Sequence, residues 1–290
     1  MAEKKNILVT GGRGQLGLSL RKIAAEYPQY TFLFTDLPEG DITDKASVEQ
    51  LVEEDKIDII VNCAAYTAVD RAESDQDTAR KINALGPVAL AGIAREKGIK
   101  LVHISTDYVF SGTGNSPLKE TDTPAPESVY GRTKLEGEKN VEASGCEAVI
   151  IRTGWLYSEF GSNFVKTMLR VGKEQGKLNV VYDQTGTPTY ATDLARAIMT
   201  LVQNEVKGFD IYHYADEGAV SWYDFAQAIF DIYGMNVAVN AIQTKDYPCA
   251  AARPAYSVLS KEKIKAAGAR VPYWRDSLGQ CIHILKTSDK

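Results

Sequence analysis

ILVTGGRGQLG, residues 7–17, decides the fold. A short apolar run enters a glycine triplet, Gly11, Gly14 and Gly17, and the chain beyond takes up helical periodicity. The residues fit a strand, a tight turn and the first turn of a helix. Gly11 permits the turn, Gly14 lets a pyrophosphate approach the main chain, and Gly17 lets helix and sheet pack closely. The N-terminus of the following helix presents free N–H groups and the positive end of its dipole to that anion. A glycine triplet alone is a weak signal. Its weight here comes from standing on the first strand of an alternating chain.

That alternation is regular through the first half. Strand-like runs occur at NILVT (6–10), YTFLFTD (30–36), IDIIVNCAA (57–65), IKLVHIST (99–106) and CEAVIIRT (146–153). Between them QLGLSLRKIAAEY, KASVEQLVEED, DTARKINALGPVALAGIAREKG and YGRTKLEGEKNVEAS have helical spacing. Within the last of these, LEGEKNVE reads as an exposed helix. Apolar strands without polar alternation predict a parallel sheet covered on both faces. The fold class is therefore α/β, a doubly wound, Rossmann-type parallel sheet.

After residue 155 the regularity fades. Helical spacing persists in NFVKTMLRVGKEQ, TDLARAIMTLVQN and SWYDFAQAIFDIYG, with strand-like KLNVVYD and GFDIYHYA between them. From NAIQTKDYPCAAARPAYS onward the chain reads as loop with two short helices. The expected division is a dinucleotide-binding domain over 1–155 and a smaller substrate lobe over 156–290, with some segments returning to the first. Such a lobe belongs at the C-terminal edge of the sheet, where α/β folds hold ligands.

The 290 residues are 44% hydrophobic with a formal charge of −5, which fits a globular core and argues against a general nucleic-acid binder. No apolar run approaches the roughly 20 residues of a membrane span. MAEKKNILVTGG passes from charged residues to a strand without a signal-peptide core. Cys63, Cys146, Cys249 and Cys281 lack C-x-x-C spacing and read as free thiols, which places the protein in the cytoplasm. His103, His213 and His283 have no metal-ligand spacing.

Two residues give opposite indications for the cofactor. Asp36, at the end of the second strand, suits the adenosine 2′-hydroxyl of NAD. Arg13, inside the glycine loop, suits the additional phosphate of NADP. The sequence leaves NADPH and NADH both open, with NADPH slightly favoured. Gln15 and Leu16 complete the loop, Asp41 and Ile42 are expected near the adenine, and Ala64, Ala65 and Tyr66 follow the third strand beside the cofactor path.

The chemistry sits in SVYGRTK (128–134). Tyr130 and Lys134 are four apart and share one helix face. A lysine beside a phenol lowers the phenol's pKa toward working pH, and such a tyrosine can pass a proton to a carbonyl oxygen as hydride reaches the carbon. Thr106, at the C-terminal end of the fourth strand, is placed to bond the same oxygen.

These features together resemble the extended short-chain dehydrogenase/reductase superfamily and, within it, the dTDP-4-dehydrorhamnose reductase family. The resemblance runs nearly end to end, on CAAYTAVDRAE (63–73), STDYVFSG (105–112), YGRTKLEGE (130–138), IRTGWLY (151–157), NFVKTMLR (163–170), DQTGTPTYATDLA (183–195), SWYDFA (221–226) and ARPAYS (252–257). It implies Thr106, Tyr130 and Lys134 as catalytic residues. Thr67, Val69, Asp107, Tyr108 and Trp155 fall in the substrate and nicotinamide environment, and Arg253 suits a clamp on the substrate's pyrophosphate. Asn163, Gln184 and Thr189 are expected to shape the cleft.

The resemblance implies reduction of the C4 ketone of dTDP-4-dehydro-L-rhamnose to dTDP-L-rhamnose, a nucleotide sugar for cell-surface polysaccharide. It also implies a possible Mg2+-linked dimer. The first helix carries no acid before Glu26, and Ser19 stands where an early glutamate would serve, so the sequence does not support the metal. Monomer and homodimer both stay open.

The competing functions are a redox-neutral sugar-nucleotide epimerase of the same superfamily and a non-catalytic NADP-binding regulatory subunit. A dehydratase would carry Asp-Glu after the threonine, where this chain has Asp107-Tyr108. A Ser–His hydrolase built on Ser105 and His103 lacks a G-x-S-x-G elbow.

Overall fold

Successive residues of a strand face opposite sides of a sheet, so an unbroken apolar strand must be covered twice. The computed structural model, which describes residues 4–204 and 207–288, has this arrangement at its centre. The charged start at 1–3 lies outside the described residues. β1 (Lys5–Thr10) passes through the glycine loop into α1 (Gln15–Ile23). Next come β2 (Tyr30–Phe34), α2 (Lys45–Glu54), β3 (Ile59–Asn62) and the short helices α3 (Val69–Ala72) and α4 (Gln76–Arg80). A π-helical turn over Lys81–Leu85 leads into α5 (Gly86–Lys97), β4 (Lys100–Thr106), α6 (Val129–Ser144) and β5 (Ala148–Thr153).

The second half contains β6 (Leu156–Tyr157), α7 (Phe164–Gln175), β7 (Lys177–Val181), β8 (Thr185–Gly186), β9 (Thr189–Tyr190) and α8 (Ala191–Gln203). It ends with β10 (Phe209–His213), β11 (Val220–Ser221), α9 (Trp222–Tyr233), β12 (Ala238–Ile242), α10 (Glu262–Ala266) and α11 (Trp274–Ser288).

The main sheet has six strands in the order β2-β1-β3-β4-β5-β10, every pair parallel. Strand order reverses between β1 and β3, the switch point at which such sheets open a ligand crevice. Ile7, Val9, Val61, Val102 and Ile151 bury one face against α1 and α8. Leu8, Ile60, Leu101 and Ile150 bury the other with Val48 of α2, Leu90 of α5 and Val141 of α6. A separate cluster around Tyr157, Val165, Phe225, Ile229, Trp274 and Leu278 forms the core of the second half.

Three sequence expectations need correction. The stretch 77–98 is not one helix: the π turn separates α4 from α5 just before Pro87, which lacks the N–H that would continue the ladder. The C-terminal stretch holds more order than loop and two short helices. β12 pairs in parallel with β7, and α11 is 15 residues long. Finally, LEGEKNVE is not an exposed face, because Gly137, Glu138 and Val141 are buried against the sheet.

Candidate active site

On the cofactor side the geometry is one of close main-chain approach. Gly11 has φ of 65°, and a Cβ placed there would lie 2.7 Å from Ala64 N, so the glycine loop rests directly on the chain leaving β3. A Cβ on Gly17 would meet Gly12 Cα at 2.6 Å, so only glycine lets α1 start this close to the turn. Gly14 is the N-cap of α1 and is exposed, and no side chain caps the helix's first N–H groups. Gln15 and Leu16 open that helix, Leu16 in the core. These are the features a pyrophosphate requires, and a dinucleotide fits them.

Asp36 lies just beyond β2. Its carboxylate accepts Arg13 N at 2.8 Å and Leu37 N at 2.9 Å, so it turns back onto the main chain of the glycine loop. The exposed Arg13 guanidinium reaches Leu37 O at 3.3 Å. Asp41 accepts both the N–H and the hydroxyl of Thr43, and Ile42 is buried against Gly86. Ala64 N is held by Asn62 Oδ1 at 3.1 Å, with Ala65 following it half-buried. Tyr66 is fixed on both sides of its peptide: Asn83 Oδ1 accepts Tyr66 N at 2.9 Å and Asn83 Nδ2 donates to Tyr66 O at 3.0 Å. Asn83 belongs to the π turn, so this irregularity places an amide where it can hold the loop after β3.

The catalytic candidates meet where β4 ends and α6 begins. Ser128 caps α6 by accepting Gly131 N at 3.1 Å, while Glu73 accepts Val129 N at 2.8 Å. Gly131 is needed because a Cβ there would strike Tyr108 O. Tyr130 is half-buried, and its ring meets that of Tyr108 edge-on at 5.5 Å. Burial pushes the Tyr130 phenol above its ordinary value, opposed by the neighbouring Thr106 hydroxyl and reinforced by the charge of Asp107.

This differs from the expectation that Lys134 lowers the phenol. Lys134 is buried, and its Nζ donates to Ile104 O at 2.6 Å, so the ammonium is tied to β4. Desolvation brings Lys134 itself down to about 8, with Glu138 pulling the other way. A raised phenol keeps its proton, the state required of a proton donor.

A buried network below these groups was not legible in the sequence. Ser105 Oγ donates to Glu138 Oε1 at 2.5 Å, and Arg152 grips Glu138 through Nε at 3.0 Å and Nη2 at 2.7 Å. His213 donates from Nδ1 to Leu118 O at 3.1 Å and offers Nε2 to Arg152 at 3.5 Å. Burial, with Arg152 nearby, lowers His213 to about 3, which keeps it neutral. Tyr130, Lys134 and Glu138 form an i, i+4, i+8 row, and that row was the available signal for Glu138. Ser105 and His103 form no dyad. Ser105 is bonded to Glu138, and His103 Nδ1 is 2.9 Å from Asn62 Nδ2.

The substrate-side candidates are spread over both halves. Trp155 has φ of 51°, a strained conformation for a bulky residue. Thr189 holds it there, donating from Oγ1 to Gly154 O at 2.6 Å and from N to Trp155 O at 3.1 Å. Trp222 stacks on its indole at 3.4 Å between ring centroids. Gly186 also lies against the indole, where a Cβ would sit 2.5 Å from the ring. Arg253 reaches across from the C-terminal loop to Asp70 Oδ2 at 2.5 Å and Tyr108 Oη at 3.3 Å. Asp70 also accepts Ala251 N at 3.1 Å. Thr67 is exposed and Val69 half-buried at the start of α3.

Two further candidates have structural duties. Asn163 caps α7, and its Nδ2 donates to Gln15 Oε1 at 2.9 Å, joining α7 to the glycine-loop helix. Gln184 is buried and donates to Thr244 Oγ1 at 3.1 Å. Among the described residues no group of three or more His, Cys, Asp or Glu is arranged for a metal, and no helix is long and apolar enough to cross a membrane. All four cysteines are free thiols.

A glycine-lined parallel sheet with Thr, Tyr and Lys at the ends of β4 and α6 defines the class: an α/β fold of the extended short-chain dehydrogenase/reductase type. The family model described as "RmlD substrate binding domain" matches residues 5–287, and the chain belongs to that family. A relative from Aggregatibacter actinomycetemcomitans named dTDP-4-dehydrorhamnose reductase is 42% identical, covering 94% of this chain and 96% of its own length. A solved dTDP-4-dehydrorhamnose reductase from Clostridium acetobutylicum superposes with a TM-score of 0.93 at 41% identity, covering 97% of this chain and 99% of that one. The enzyme of that name from Bacillus anthracis, solved in complex with NADP, gives 0.92 at 39%, with 97% and 99% covered.

Proposed function

We propose that this protein reduces the C4 ketone of dTDP-4-dehydro-L-rhamnose to dTDP-L-rhamnose, the last step in making that nucleotide sugar for cell-surface polysaccharide. The observation that carries this reading is that the end of β4 and the start of α6 bring the Thr106 hydroxyl and the Tyr130 phenol together in a fold with a glycine loop after its first strand, in a chain about two-fifths identical to reductases of that name. The glycine loop from Gly11 to Gly17 holds the pyrophosphate, with Asp41, Ile42, Ala64, Ala65 and Tyr66 along the cofactor's path. Lys134 holds the nicotinamide ribose. The bound nicotinamide supplies hydride to the sugar's C4.

Tyr130 gives its proton to the ketone oxygen, and Thr106 hydrogen-bonds that oxygen as negative charge develops on it. Trp155, with Thr67 and Val69, forms the wall against the sugar ring. Arg253 takes the substrate's diphosphate. Asp70 and Tyr108 occupy only part of its fork, and five N–H donors allow a phosphate as well. NADPH is the preferred cofactor, because Asp36 is turned onto the main chain while Arg13 stays exposed at the rim.

As a working division we take 1–155 as the dinucleotide domain and 156–290 as the substrate lobe, with β10 and α8 counted in the first because they complete its sheet and cover. The protein acts in the cytoplasm as a monomer or homodimer.

The test is NADPH oxidation with dTDP-4-dehydro-L-rhamnose generated in place, with the product identified by mass. Stoichiometric oxidation and a gain of two hydrogens are expected. Epimerised product without oxidation would establish the redox-neutral reading, and tight cofactor binding with no turnover would favour a regulatory subunit.

A further inference from the structure

Asp107, which the family resemblance places in the substrate and nicotinamide environment, is a buried carboxyl group that the proton transfer proposed for Tyr130 and Thr106 does not itself use. The residue is 2% exposed, and Oδ2 has no hydrogen-bond partner among the described residues. Its other oxygen, Oδ1, accepts the Thr106 hydroxyl at 3.1 Å. Thr106 Oγ1 in turn accepts Tyr108 N at 3.2 Å. The carboxyl lies against the Gly154 main chain, where a Cβ would meet its Cγ at 2.6 Å, directly before Trp155.

A hydroxyl has one proton to give and two sites that accept. An ionised carboxylate only accepts, so an ionised Asp107 commits the Thr106 proton to Oδ1. The proton is then turned away from a ketone oxygen. A neutral Asp107 can instead donate to Thr106 Oγ1. Oγ1 then accepts twice, from Tyr108 N and from Asp107, and its proton is free for the substrate oxygen. Neutralisation also removes a buried negative charge beside the oxygen that gains charge in the transition state.

We propose that Asp107 is a positioning residue that sets the direction of the Thr106 hydrogen bond, so that ketone reduction is fastest with Asp107 in its neutral form. The proposal rests on the reductase reading.

The carboxyl is faced by Thr106 and Tyr108 of its own turn, Ser257 from the returning C-terminal loop, Tyr130 from α6 and Gly154 after β5. The charged Arg253 reaches Tyr108 Oη at 3.3 Å. Burial raises Asp107 to about 6, against the Ser257 and Thr106 hydroxyls beside it, which favour the ionised form. Burial also raises Tyr108 to about 12 and places Tyr130 above its ordinary range, while desolvation brings Lys134 down to about 8. The neutral fraction of Asp107 therefore falls as pH rises through 6, a separate window from that of Lys134.

The experiment is the pH profile of kcat/KM for NADPH oxidation by the wild type, D107N and T106V. In the wild type kcat/KM should fall about tenfold as pH rises through 6, the worth of one hydrogen bond. In D107N the amide donates to Thr106 at every pH, so the step near 6 should vanish while the limb near 8 stays. T106V should lose the same step from its residual activity. An infrared carboxylic-acid band that titrates near 6 in the wild type and is missing from D107N provides a readout without substrate. A step near 6 that persists in D107N or T106V overturns the proposal, as does the band's persistence in D107N. Wild type that turns over at no pH sinks the reductase reading instead, and is told apart because failure of the Asp107 role leaves wild-type turnover intact.

Discussion

On the side of the cleft proposed for the cofactor the walls make their contacts with main chain: Gly11 against Ala64, Gly17 against Gly12, and Asp36 folded onto the N–H groups of Arg13 and Leu37. On the substrate side they are side chains held across long stretches of sequence. Thr189 fixes Gly154 and Trp155, Trp222 stacks on Trp155, Arg253 joins Asp70 and Tyr108, and Gln184 joins Thr244. The first kind of wall is set by glycines that let main chain approach main chain, and is insensitive to most side-chain changes. The second depends on pairs, so one substitution there leaves a partner stranded. Beneath both lies the Ser105–Glu138–Arg152 network, which fastens the helix of Tyr130 and Lys134 to the sheet.

The largest effect on stability is expected at that shared base. Arg152→Met leaves Glu138 buried without its cation and should cost about 3–5 kcal/mol. Urea denaturation with and without NADPH measures it, and a loss below about 1 kcal/mol would mean that the pair holds neither wall. Next in size is Arg253→Ala. It should lower kcat/KM by about ten- to hundredfold, the range for hydrogen bonds to a charged group, with NADPH affinity unchanged. An equal loss in cofactor affinity would erase the distinction between the two sides. Smallest is Arg13→Ala on the exposed rim, expected to weaken NADPH about tenfold more than NADH in a fluorescence titration. Equal losses would remove the case for NADPH.

The sequence was most informative where the relevant contacts are local. The glycine loop, Y-x-x-x-K and the strand-ending Thr106 are each defined within a few residues, and the apolar strands announced a doubly covered sheet. It was least informative about partners distant along the chain. Glu138 looks like one of several surface acids in LEGEKNVE, and only Arg152 and Ser105, arriving from neighbouring strands, explain why it is buried. The motif around Trp155 is legible in the sequence, but its left-handed backbone and its dependence on Thr189 and Trp222 are not. β12 escaped because it lies beside β7 in a two-stranded sheet with largely exposed faces, and AVNAI offers little apolar alternation. Lys134 acts less on the phenol than its spacing suggests for a similar reason. Helical spacing places the two residues on one face, but the lysine's bond to Ile104 O depends on β4.

The central claim is that Tyr130 donates the proton at a site whose cofactor wall is independent of it. The most direct measurement compares wild type and Tyr130→Phe for NADPH oxidation with dTDP-4-dehydro-L-rhamnose and for NADPH affinity in the same preparation. A rate lower by about 10²–10⁴ with cofactor affinity unchanged is the expected result. Turnover near the wild-type rate in the phenylalanine variant would contradict it.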